Sequence, residues 1–136
     1  MPTKKEIIEE LNFLTELIST RVRTISAGTL AFCWVLIFES IFKKGSTTII
    51  NINLLLVPVS LAILTLVADF AQYWFGYLGT HTAFKEMEEK DKEDINYDYT
   101  ALAYRVRSFL FYIKQALMLG SVLSLLIIIG LRIFKR

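Results

Sequence analysis

Residues 54–73 read LLLVPVSLAILTLVADFAQY, a stretch in which Asp69 is the single charged side chain. A bilayer core about 30 Å thick needs about 20 mostly apolar residues in helical conformation, so this stretch has the length and composition of a membrane span. Pro58 fits such a helix if it lies in the first turn, where its missing N–H costs nothing. We therefore predict a membrane-spanning helix from Leu54 to Tyr73.

Two further stretches have the same character, at residues 24–42 (TISAGTLAFCWVLIFESIF) and 109–131 (FLFYIKQALMLGSVLSLLIIIGL). The whole chain has 136 residues, of which 54% are apolar and 21% charged, with a formal net charge of +2. This balance points away from an ordinary soluble domain and gives no overall basicity that would suit duplex DNA. The sequence predicts an all-α membrane protein with three transmembrane helices.

The segment before the first span predicts an amphipathic helix. Thr3 and Glu6 have the spacing of a capping box, and one helical stripe is apolar, formed by Ile7, Ile8, Leu11, Leu14 and Ile18. The polar side is largely glutamate, which favours packing against other protein helices over anionic lipid. The predicted organisation is a cytoplasmic amphipathic helix (1–23), spans one and two (24–78), a cytoplasmic helical hairpin that extends the spans (79–108), and span three with a short tail (109–136).

Lysine and arginine counts predict the orientation. The N-terminal segment and the connection between spans two and three together carry nine of them: Lys4, Lys5, Arg21, Arg23, Lys85, Lys90, Lys92, Arg105 and Arg107. The other side carries five, namely Lys43, Lys44, Arg132, Lys135 and Arg136. Since positive residues concentrate on the cytoplasmic side, we expect the N-terminus to be cytoplasmic.

One face of span two carries small and polar residues. Alternating steps of three and four give the small-residue stripe: Pro58, Ala62, Thr65, Asp69, Gln72, Gly76 and Gly79. Two interpretations remain open. The stripe could allow close helix contact, with Asp69 neutralised by Lys114 at similar depth on span three. Alternatively, stripes from several subunits could line a hydrated path, in which the pore-lining residues are Thr65, Asp69, Gln72 and Gly76. The second interpretation requires a homo-oligomer, for which a tetramer is one candidate.

Four arginines should gather at the inner surface: Arg21 and Arg23 before span one, and Arg105 and Arg107 before span three. The positive-inside rule and contact with lipid phosphates explain them without a ligand. The alternative is an anion site, because guanidinium groups pair with phosphates and nearby aromatic rings can stack on nucleobases. Candidate ligand-binding residues are Arg21, Arg23, Tyr97, Tyr104, Arg105 and Arg107.

Enzymatic activity is not expected. Cys33 is the only cysteine and His81 the only histidine, so one chain offers neither a nucleophile–base pair of the usual kind nor a zinc site built from several such ligands. We predict no catalytic residue, no metal site and no cofactor.

This organisation, with its amphipathic N-terminus, three spans and a cytoplasmic side rich in arginine and aromatic residues, resembles the small membrane effectors of bacterial antiphage systems. It is most similar to the channel effector of the Hailong type, whose regulator is an oligodeoxyadenylate made by a partner nucleotidyltransferase. The resemblance implies a homo-oligomeric ion channel in the bacterial inner membrane. It also implies ligand contact through Arg105, Arg107 and neighbouring tyrosines. A holin-like or superinfection-exclusion protein and a non-conducting accessory membrane subunit are the alternatives.

Overall fold

The computed structural model describes residues 4–42, 52–90 and 102–134, and all of them are helical. Helix α1 spans Lys4–Phe42, α2 spans Ile52–Lys90 and α3 spans Leu102–Phe134. Each helix contains a segment long and apolar enough to cross a membrane. The described residues therefore confirm the predicted all-α class, with three helices that are long and apolar enough to span a membrane.

The helices are longer than a bilayer core requires. Helices α1 and α2 have 39 residues each, or about 58 Å at 1.5 Å per residue, and α3 has 33 residues, or about 50 Å. In α1, the segment predicted as an amphipathic helix continues into the first span without a break at Thr24. Neither proline nor glycine interrupts the chain between Lys4 and Gly28, so nothing in the sequence ends the helix there.

The three helices alternate in direction, and α2 packs more extensively on α3 than on α1. Contacts between α2 and α3 keep an antiparallel register along much of their length. The Ser121 hydroxyl donates to the Pro58 carbonyl at 2.8 Å, and a methyl group placed on Gly79 would lie 3.6 Å from Ala103 Cβ. We call this contact the α2–α3 seam.

The interior of the bundle is small and polar. Among the described residues, buried apolar side chains are Val22, Cys33, Leu55, Ala62, Ala68 and Leu125, whereas the buried polar or charged ones are Ser19, Ser26, Thr29, Thr65, Asp69, Gln72, Lys114 and Ser121. Large apolar side chains lie on the outside along all three helices. This distribution is the reverse of that in a water-soluble domain and matches helices that pack through small residues within lipid. The structure thus supports a membrane location.

The N-terminal part of α1 also leaves its apolar side uncovered. Of the predicted stripe, Ile7, Leu11, Leu14 and Ile18 are all exposed in the protomer. The side chain of Ile8 lies outside the described part of the structure. Packing of this stripe against protein helices is therefore not provided by the protomer itself, and it stays a prediction about other chains.

Candidate functional site

Two opposite charges meet inside the bundle. The Lys114 ammonium on α3 lies 2.6 Å from Asp69 Oδ1 on α2, and both side chains are buried, with Lys114 fully inaccessible. The predicted neutralisation of Asp69 by Lys114 is therefore confirmed. The antiparallel register of α2 and α3, in which Ser121 contacts Pro58 and Gly79 lies beside Ala103, brings the two charged residues to one level.

A third charge reaches the same carboxylate from α1. Arg23 donates from Nε to Asp69 Oδ2 at 3.0 Å, and its Nη2 lies 2.9 Å from that oxygen. The Arg23 side chain is about half exposed, unlike Lys114, with a relative accessibility of 51%. Asp69 is consequently held between one buried cation and one partly exposed cation.

Neutral groups complete the surroundings of Lys114. Its ammonium donates to Ser19 Oγ at 2.7 Å, and it lies 5.5 Å from the centre of the Phe111 ring and 6.0 Å from that of Tyr73. The Arg23 guanidinium lies 5.4 Å from the same Tyr73 ring. We refer to Asp69, Lys114, Arg23 and Ser19 as the ion cluster. It joins all three helices.

The ion cluster is suited to holding helices together or to interacting with ions. One carboxylate faces two cations, so the cluster carries a formal charge of +1. An ionisable side chain in the centre of a span costs about 2.5–3.5 kcal/mol on insertion scales, which pairing reduces. No group of three or more potential metal ligands occurs among the described residues.

The other predicted pore-lining residues lie along the same side of α2. Thr65 is fully buried and Gln72 nearly so, at 5% accessibility, while Gly76 faces α3, where a methyl group on it would lie 3.6 Å from Arg107 Nε. In the protomer the small-residue stripe is thus covered by neighbouring helices, chiefly along the α2–α3 seam. Its role as the wall of a water-filled path stays a prediction, and such a path would require these helices to separate.

The predicted ligand-binding residues divide into separate groups. Arg21, Arg105 and Arg107 are exposed, Arg23 belongs to the ion cluster, and Tyr97 lies outside the described residues. Arg107 and Tyr104 line a cavity of about 310 Å³. The six residues therefore do not form one surface, and only two of them share a concave site in the described part of the protomer.

The participation of Arg23 in the ion cluster was not predicted from the sequence. The sequence does contain a pattern that indicates this contact. Ser19, Ser26 and Thr29 repeat at helical spacing and form a small polar stripe on α1, and Arg23 lies on the same side, four residues after Ser19. In the structure these three residues are buried against the bundle. The polar stripe on α1 would have indicated which side of that helix meets Asp69.

The chain matches no protein-family model, no curated protein and no solved structure. The geometry of the site is that of a three-helix bundle with helices of membrane-spanning length and a buried ion cluster.

Proposed function

We propose that this protein is a homo-oligomeric ion channel or pore-forming effector of the bacterial inner membrane, and that the ion cluster holds its closed conformation. The observation that supports it is the pair of ionisable side chains, Asp69 and Lys114, buried within helices of membrane-spanning length. Charged residues in spans are costly, and they commonly mark ion pathways, proton relays or voltage sensors.

The stripe around the ion cluster gives this proposal a mechanism. In the closed protomer Thr65, Asp69 and Gln72 are buried, and the Lys114 ammonium donates a hydrogen bond to the Asp69 carboxylate. Separation of α2 from α3 would release Asp69 from Lys114 and present small polar side chains to water. A carboxylate at that point favours cations over anions. The proposal also includes gating by a cytoplasmic nucleotide or oligonucleotide and a role in antiphage defence. These two parts are supported only by the resemblance of the architecture to antiphage membrane effectors.

Ion flux through proteoliposomes tests the proposal. We expect Lys114→Gln to increase K⁺ flux over that of the wild type, because it removes the buried partner of Asp69. In any conducting form, Asp69→Asn should reduce the preference for cations over anions, measured from the reversal potential across a salt gradient, whereas Asp69→Glu should retain it. Ser60→Ala is the matched control, because Ser60 is exposed on another side of α2 and bonds only to its own helix at Leu56.

Two results would contradict a channel. The first is that neither the wild type nor Lys114→Gln conducts although both are helical and inserted. The second is that a conducting form keeps its cation preference in Asp69→Asn.

A non-conducting accessory membrane subunit is the second candidate. The observation that favours it is the sealed α2–α3 seam, in which the stripe residues contact α3 of the same protomer. In this case Asp69→Asn would weaken folding or assembly, measured by size-exclusion chromatography in detergent, and no variant would conduct.

A further inference from the structure

We infer that the cavity beside the ion cluster binds a phosphoester that also carries a hydrogen-bond donor, such as the headgroup of a phospholipid or a small soluble phosphate ester. We call it the Arg107 cavity. Its volume is about 310 Å³, and its lining comes from all three helices: Asn12, Thr15, Gln72, Tyr104, Arg107, Ser108, Phe111 and Tyr112.

The charge of the cavity selects an anion. Among the described residues that line it, Arg107 carries the only charge, and none of them is a carboxylate. Within the described parts of the chain, no acidic residue forms an ion pair with Arg107. A guanidinium presents a planar fork of donors that matches the oxygens of a phosphate, so an uncompensated arginine in a concave polar site favours a phosphoester.

Gln72 adds a second requirement. Its side chain is 95% buried, since its accessibility is 5%, and its amide oxygen has no hydrogen-bond partner in the structure. A buried acceptor without a partner is destabilising, and Gln72 is one of the residues that line the cavity. A ligand that fits both residues therefore carries a hydroxyl or ammonium donor near its phosphate.

The position of the cavity agrees with a headgroup. Gln72 directly precedes the exposed aromatic residues of α2, Tyr73, Trp74 and Tyr77, which have the character of an interfacial belt. At that depth a lipid phosphate can enter from the bilayer, and a soluble ester can enter from water. Because the proposed function includes gating by an anionic ligand, any effect of this cavity on gating rests on that proposal, whereas binding itself does not.

Lipid binding to delipidated protein, counted by native mass spectrometry, tests the inference. The probes are short-chain phosphatidylethanolamine, phosphatidylcholine of the same chain length, and soluble glycerol 3-phosphate. Phosphatidylethanolamine has an ammonium donor that phosphatidylcholine lacks, so we expect the former to bind about two- to tenfold more tightly. Arg107→Gln should reduce binding of both lipids about tenfold or more, and Gln72→Met should remove the preference between them.

Arg105→Gln is the matched control, because Arg105 is an exposed arginine on the same helix that lies outside the cavity lining. Glycerol 3-phosphate binding that depends on Arg107, without Arg107-dependent lipid binding, would support the site and assign it a soluble ligand. Equal binding by wild type and Arg107→Gln for all three probes would overturn the inference. So would an equal loss in Arg105→Gln, since that result indicates general charge attraction. If the protein binds these probes but never conducts ions, the result supports this binding site and contradicts the proposed channel function.

Discussion

Lys114 has the least solvent access of the charged side chains that the structure describes, and its environment explains how that is possible. Its ammonium has a carboxylate at 2.6 Å, a serine hydroxyl at 2.7 Å and an aromatic ring on one side. Removing one member of a buried pair is more costly than the pair is stabilising, because the remaining charge loses its closest partner, and Asp69 without Lys114 would keep only the partly exposed Arg23. The partly exposed Arg23 is bound to the same carboxylate but remains solvated.

This difference predicts an ordered set of stabilities. We expect Lys114→Met to lower the free energy of unfolding by about 3–5 kcal/mol, whereas Arg23→Gln should lower it by about 1 kcal/mol or less because its side chain is half exposed. The double variant Asp69→Leu with Lys114→Met should recover most of the loss. Denaturant or thermal unfolding in detergent micelles, followed by circular dichroism, measures each value.

Two outcomes would count against this account of the ion cluster. Arg23→Gln could prove as damaging as Lys114→Met, which would show that the exposed contact dominates. The double variant could also be less stable than Lys114→Met alone, which would mean that the contact between Asp69 and Arg23 stabilises the bundle more than a half-exposed pair should.

The sequence predicted a residue contact correctly where the depth of each residue in its span was enough to identify its partner. Asp69 and Lys114 could be paired because both interrupt apolar spans at matching depths of antiparallel neighbours. Arg23 could not be assigned in the same way, because its position before the first span has an independent explanation in the positive-inside rule. Which side of α1 meets α2 depends on packing of all three helices, and hydropathy does not specify that rotation.

At the scale of the elements, the α2–α3 seam depends on small residues. Gly120 on α3 faces Leu61, and a methyl group added there would lie 3.6 Å from the Leu61 Cδ1 atom, which is an ordinary contact. Gly28 on α1 has no atom within 4 Å of the corresponding position. The two glycines therefore form a matched pair, one in a packed seam and one on an open surface of the protomer.

We expect Gly120→Ala to be tolerated, because the methyl group fits and alanine favours helix. Gly120→Leu should lower the free energy of unfolding by about 1–3 kcal/mol, because the larger side chain has to displace Leu61. Gly28→Leu should change it by no more than about 0.5 kcal/mol in monomeric protein. Thermal unfolding in detergent compares the three variants, and a destabilisation by Gly28→Leu equal to that of Gly120→Leu would contradict the packing described.

The continuity of the helices was less predictable than their existence. Spans of apolar residues defined the three elements, because bilayer thickness sets a minimum length. The sequence also suggested a boundary near Thr24, where composition changes from acidic and amphipathic to apolar. Composition changes do not break a helix unless a residue disfavours helical backbone, and α1 accordingly runs from Lys4 to Phe42.

At the scale of the whole molecule, the exterior determines where the protein can exist. Side chains such as Phe70, Tyr112 and Leu123 are more than half exposed, and comparable residues cover all three helices. In water such a surface would aggregate, so it requires lipid or other apolar helices around it. The direction in which these helices insert depends on the distribution of charge around them.

The charge count predicts that direction, and cysteine labelling can measure it. Cys33 is the only cysteine and is buried, so replacing it by alanine provides a background without thiols. In that background we expect Phe134→Cys to react with a membrane-impermeant maleimide on intact spheroplasts, and Lys85→Cys to react only after permeabilisation. Both positions are exposed, so a difference between them reports the side of the membrane and not burial. The reverse pattern would place the N-terminus outside, which would remove the cytoplasmic access that gating by an intracellular nucleotide requires.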